Sequence, residues 1–178
     1  MYQISLFLDV CKKRMESVSD WGFVLSEESS KDDWALLTWE LEGISISIDY
    51  HPYAYIISTY VKDMGQDINV RALYDSVGID DKSVYQFGGT GLEKGIETIT
   101  GTVLSFLSRF DRTDHADLKE AISKIEEQHK TFEAYELERA DQLYLSSEFD
   151  RAKAIYMQYD YALSDIQKKR LERIKSMS

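Results

Sequence analysis

Between residues 34 and 61 the chain alternates. Ile44, Ile46, Ile48 and Tyr50 fall on one parity, and Ser45, Ser47 and Asp49 on the other. Successive side chains of a strand point to opposite faces, so this period of two predicts a strand with one buried and one polar face. Gly43 and His51-Pro52 punctuate the run as turns. The flanking stretches, 34–42 and 53–61, read as further strands, giving three consecutive antiparallel strands. Helices are expected to cover the isoleucine face.

Upstream, Ile4, Phe7, Leu8, Cys11, Met15 and Val18 recur at intervals of three and four. That spacing predicts an amphipathic helix over residues 2–18. Residues 21–26 then read as a short strand and 27–33 as a charged turn, which makes a four-stranded meander with the helix against one face. Downstream, 67–77 reads as a short helix capped by Asp67 and ended by Gly78. Residues 83–87 read as a fifth strand or an extended loop. Gly88-Gly-Thr-Gly91 is the expected domain boundary.

Beyond it the apolar period becomes helical to the end. Leu92, Ile96, Ile99, Val103, Phe106, Leu107 and Phe110 mark a helix over 91–110. Asp114 is placed to cap the next one. Its stripe runs from Leu118 through Ile122, Ile125, His129 and Phe132 to Ala140, Leu143 and Tyr144. Ser146-Ser147 interrupts it, and a last helix is expected from Ala152 through Ile166 to Leu171 and Ile174. The fold class is therefore α+β: an antiparallel meander of about four to five strands packed with an N-terminal helix, followed by an all-helical half. The units are placed at 1–90 and 91–178, or as one continuous domain.

Within the helical half, Phe149-Asp-Arg-Ala152 followed by Tyr156, with Ala140 in the preceding helix, resembles a single tetratricopeptide unit. The resemblance covers about a fifth of the chain, and a stable array needs about three such units. Tyr159 stands where a small residue is usual, Glu136 and Arg139 where apolar ones are, and Ser164 in place of the closing proline. The resemblance implies an antiparallel helical hairpin near 136–166, a common peptide-binding surface.

Charge narrows the partners. The net charge is −11, and residues 1–90 hold 7 Lys and Arg against 15 Asp and Glu. An acidic surface repels nucleic acid and anionic membranes and steers a basic partner. No apolar run reaches membrane-spanning length, and Lys12-Lys13-Arg14 follows the N-terminal apolar patch instead of preceding it. A cytoplasmic location is expected. The single cysteine, Cys11, excludes an intrachain disulfide and sits on the apolar helix face.

No motif identifies a reaction, and no enzyme, cofactor or metal is expected. Gly88–Gly95 has neither dinucleotide nor P-loop spacing. Glu126-x-x-His129 has the spacing of half a di-iron carboxylate site, but no second pair exists, and the apolar stripe marks His129 as a core residue. Asp32-Asp33 and Asp80-Asp81 read as solvated turns; carboxylates from distant positions are the one catalytic alternative. What remains is surface-like: aromatic residues of the sheet interleaved with acids. Trp39, Glu42, Asp49, Tyr53 and Tyr55 are the expected partner-binding residues. This acidic α+β character resembles the immunity proteins of bacterial toxin systems, including contact-dependent growth inhibition. The resemblance implies neutralisation of a basic toxin, a nuclease for example, by occlusion of its active site. The alternative is an adaptor that binds peptides through the helical hairpin.

Overall fold

The computed structural model describes residues 2–87 and 91–177. The chain forms two compact units, Met1–Glu126 and Glu127–Ser178. The first holds α1 (Tyr2–Arg14), a 3-10 turn (Glu16–Trp21), β1 (Val24–Lys31), β2 (Trp34–Leu41), β3 (Ile44–His51), β4 (Ile56–Asp63), β5 (Gln66–Ile68), α2 (Val70–Ser76), β6 (Val84–Gln86) and α3 (Leu92–Leu107). A long helix, α4 (Ala116–Leu145), follows, then α5 (Phe149–Gln158) and α6 (Asp165–Met177). The expected α+β fold is thus what forms, with a five-stranded meander and a sixth strand that pairs back onto β4.

The sheet runs in the order β1-β2-β3-β4-β5, all antiparallel, and β6 pairs with the first residues of β4. The register places Leu37 beside Ile48 and Thr59, and Trp39 beside Ile46 and Val61. These rows, with Ala35, Tyr50 and Ile57, form the buried face. α1 and α3 pack on each other and on this face, contributing Phe7, Cys11, Met15, Ile96, Ile99 and Val103 to one core. Gly95 sits where α3 meets the sheet. A β-carbon there would stand 3.0 Å from Ile57 and 3.2 Å from Tyr85.

The β2–β3 and β4–β5 hairpins are closed by Glu42-Gly43 and Met64-Gly65, each pair with φ positive at both positions. Two left-handed residues give the turn whose twist matches that of the strands. Gly43 has φ +92°, and a β-carbon there would come within 2.5 Å of the Met64 sulfur. Gly43→Ala is expected to lower the unfolding free energy of this unit by about 1–2 kcal/mol, the strain of a left-handed alanine. A urea titration followed by tryptophan fluorescence checks it. Trp21, Trp34 and Trp39 are the three tryptophans of the chain, and all lie in the first unit, so their emission reports that unit.

Several boundaries differ from the sequence reading. The stretch read as a charged turn, 27–33, is mostly the outer strand β1, and the helix expected to reach residue 18 ends at Arg14 before a 3-10 turn. Asn69, not Asp67, caps α2, its side chain accepting the Ala72 amide at 3.0 Å. β4 starts at Ile56, so Tyr53 and Tyr55 lie in a turn and not on a strand face. Proline fixes its own φ and has no N–H to give a ladder, and pairing stops at His51 opposite Ile56. The compact units divide near residue 126 instead of at the glycine-rich stretch, because α3 and the start of α4 bury Ile96, Phe106, Leu118 and Ile122 in the sheet's core. Residues 88–90 of that stretch lie outside the described residues.

The second unit has its own core, built from Leu137, Ala140 and Leu143 of α4, Ala152 and Tyr156 of α5, and Leu171 and Ile174 of α6. Asp141 is its polar centre. It accepts the Tyr156 hydroxyl at 2.6 Å and the Gln167 amide at 3.1 Å, and pairs with Arg170, whose guanidinium lies over the Tyr144 ring. The single helix expected from 152 to 174 is two helices. Ser164 and Gln167 form a reciprocal cap at the start of α6: the Gln167 side-chain Oε1 accepts the Ser164 backbone N–H at 3.0 Å, and the Ser164 hydroxyl accepts the Gln167 backbone N–H at 3.3 Å. This Ser-x-x-Gln signature was legible in the sequence.

Candidate functional site: the open face of the sheet

The face of the sheet opposite the isoleucines carries three cross-strand rows. They are Glu40–Ser45–Lys62, Thr38–Ser47–Tyr60 and Leu36–Asp49–Ser58. β1 adds Glu27 beside Thr38. Alternation built this face: its central residues are mostly polar, with Leu36 the apolar member of the three rows. Thr38 and Ser47 satisfy each other through a 2.9 Å hydroxyl bond. Tyr60 remains 44% exposed.

A groove of about 510 Å³ runs along this face, walled by Glu27, Glu40 and Lys62 over Thr38, Ser45 and Ser47. Lys62 is already paired with Asp67 at 3.1 Å. Glu27 and Glu40 are exposed and make no ion pair among the described residues. The groove is therefore anionic. So is its setting: residues 1–126 carry 12 Lys and Arg against 22 Asp and Glu, a net charge of −10.

Asp49 lies two residues along β3 from the groove floor, and only 8% of it is exposed. Its Oδ2 contacts His51 Nε2 at 2.9 Å. Its Oδ1 is buried and makes no hydrogen bond of good geometry among the described residues, although Ser58 stands beside it. Burial lifts the carboxyl above its ordinary value of 3.8, and His51 and Ser58 pull it only part of the way back. An acid held this way destabilises the fold.

The sign of the pH effect follows. The folded-state value lies above the unfolded one, so the penalty is in full force above the raised value and fades as pH falls through it toward 3.8. Asp49→Asn is expected to be more stable than the wild type at pH 7, by about 1 kcal/mol, with the gap closing in acid. Thermal melts at several pH values check it. A less stable asparagine variant at neutral pH would show that the carboxylate supports the fold.

The structure separates the residues expected at the interface. Asp49 is on the open face. Trp39 is not: it shares the parity of Leu37 and Leu41, points to the helix-covered side and is 5% exposed. Its place in the ladder decides this, whatever its aromatic character favours. Glu42 lies in the β2–β3 turn, exposed, and is paired with Lys119 at 2.5 Å, which holds its carboxyl below the usual range. Tyr53, 80% exposed, and Tyr55, packed edge-on against Phe87, lie in the turn at the other end of β3. Glu42 and the two tyrosines therefore sit at opposite ends of this strand. Glu40 and Tyr60 were assignable from strand parity alone. Glu27 was not, because its strand reads as a turn.

Other sites considered from the sequence have simple placements. Cys11 is fully buried, and burial pushes its thiol up to about 12, which leaves it without nucleophilic character at neutral pH. His129 is exposed and not in a core, since α4 buries no residue between Ile125 and Leu137. No group of three His, Cys, Asp or Glu among the described residues is placed to hold a metal ion. Among them, too, no helix is long and apolar enough to cross a membrane. No protein-family model, curated protein or solved structure matches the chain.

Proposed function

We propose that this chain is a binding protein of the immunity or antitoxin kind, which holds a basic protein partner against the open face of its sheet. The observation that carries the reading is the anionic groove, with Glu27 and Glu40 unpaired beside a buried carboxylate kept at a cost in stability. Residues retained against stability concentrate where function needs them. In this reading Glu27 and Glu40 meet lysine or arginine side chains of the partner, Asp49 adds negative charge at the centre, and Tyr60 supplies apolar contact. Tyr53 extends the surface at one end. Occlusion of a cationic active site, such as that of a nuclease, requires no chemistry from this chain.

The test is affinity capture from the source cells with the wild type and with the Glu27→Lys, Glu40→Lys double variant, followed by rebinding of the purified captured protein. A stoichiometric basic partner held by the wild type and lost from the variant supports the reading. The adaptor alternative has its own observation, the exposed Met157 and Ile166 of the helical unit. Partners lost on Met157→Glu with Ile166→Glu, and kept by the groove variant, would replace neutralisation with that alternative.

A further inference from the structure

Two further features of the first unit adjoin the groove, and the first shares Glu27 with it. The first is the outer edge of the sheet. β1 pairs with β2 on one side only, and seven of its eight residues are exposed. An unpaired strand edge presents free N–H and C=O groups to any extended segment. Natural edges are guarded by charges and bulges, and here the guard is uneven. Glu27, Glu28 and Lys31 protect the last five residues of the strand, and the ladder slips between Leu25 and Glu27. Ahead of that slip stand Val24, 68% exposed, and Leu25, 39% exposed, with no charge between them.

The second feature lies beside that unguarded end. A cleft of about 560 Å³ opens there, with Met15, Val18, Phe23 and Trp39 as its apolar walls and Val24 and Leu25 at its mouth. Its rim carries Lys12, Lys13 and Glu16. Lys12 is held by Glu28 at 3.0 Å, whereas Lys13 makes no ion pair among the described residues. The rim therefore offers a free cation in a unit that is otherwise strongly acidic.

We propose that the edge of β1 and this cleft together form a second docking site, which takes an extended peptide carrying a bulky apolar side chain next to a carboxylate. Main-chain bonds to β1 hold the peptide as an added strand. A pocket at one position of such a strand supplies the specificity that backbone bonds lack. The apolar side chain enters the cleft over Trp39, and the adjacent carboxylate meets Lys13. The ligand is opposite in charge to the basic partner assigned to the groove. Both sites use β1 and β2, but they rest on different lining residues, Met15, Val18, Phe23 and Trp39 for the cleft and Thr38, Ser45, Ser47 and Lys62 for the groove.

The probe is a phage-displayed library of random twelve-residue peptides, panned against the full chain. Enriched peptides, made synthetically, are titrated while tryptophan emission is followed, since Trp39 lines the cleft. Enriched sequences should pair a large apolar residue with an acidic one. Lys13→Glu and Val24→Asp, both at exposed positions, should each weaken binding about tenfold or more. Tyr60→Ala, on β4 and away from this edge, should leave it within about twofold. Three outcomes would overturn the proposal: no enrichment over a no-protein control, enriched peptides that are basic and depend on Glu40, or enriched peptides indifferent to both cleft substitutions. A doubled mass in solution without peptide, abolished by Val24→Asp, would also overturn it by assigning the edge to a second copy of the chain.

Discussion

Ile48→Ala is expected to lower the unfolding free energy of the first unit by about 3–4 kcal/mol, the largest effect of any single change considered. Ile48 has no exposed surface, stands in the central strand and lies between Leu37 and Thr59 in its cross-strand row. Strands and helices enclose it on every side, so a truncated side chain leaves a cavity that neighbours cannot fill by sliding. Deleting three buried carbons loses both their transfer free energy and their packing contacts. Ser45→Ala, three residues earlier and on the opposite parity, is expected to change stability by less than about 0.5 kcal/mol. Urea titrations read by tryptophan emission compare the two. Equal effects would mean that Ile48 is not packed in the core as described.

Glu27→Lys with Glu40→Lys is expected to weaken the basic partner by about a hundredfold. The loss should divide unequally between the two rates. Exposed charges steer encounter, so association slows, and a reversed charge against a cationic surface also repels once bound. Neither carboxylate is tied to a cation among the described residues, so both are free to act on a partner. Neither supports the fold through an ion pair, so the variant is expected to keep the wild-type urea midpoint. That separation of binding from stability distinguishes a docking surface from a structural one. Glu42, already held by Lys119, should matter less to binding than either. Titration calorimetry with the captured partner measures all three.

The fold was readable where one pattern dominated. The alternation of Ile44 to Tyr50 specified its strand, its turns and the face that the helices cover, because a strand's period of two admits one burial pattern only. The helical character of the C-terminal half was legible for the same reason at a period near 3.6, but the break between α5 and α6 and the exposure of His129 were not. β1 was not, since Glu27, Glu28, Ser29 and Ser30 are all polar and show no apolar period, although they pair with Thr38, Leu37, Leu36 and Ala35 in the ladder. The candidate site suffered from this gap. One of its walls, Glu27, belongs to a strand that composition disguises as a turn. Trp39 shows the complementary error: aromatic character favours interfaces, but parity with Leu37 and Leu41 was the stronger constraint. Tyr53 and Tyr55 were displaced from a strand to a turn by one proline. The unpaired Oδ1 of Asp49 was beyond any sequence reading, because it depends on which neighbours close over a central strand.

The central claim is that an anionic sheet face recruits a basic protein. Stopped-flow association of the captured partner with the wild type and with the Glu27→Lys, Glu40→Lys variant, across a range of salt concentrations, tests it most directly. The wild-type association rate should fall steeply as salt rises, and the two proteins should converge once the screening length shrinks to a few ångströms. An association rate that ignores salt, and is the same for both proteins, would contradict the claim and remove the groove from the function of this chain.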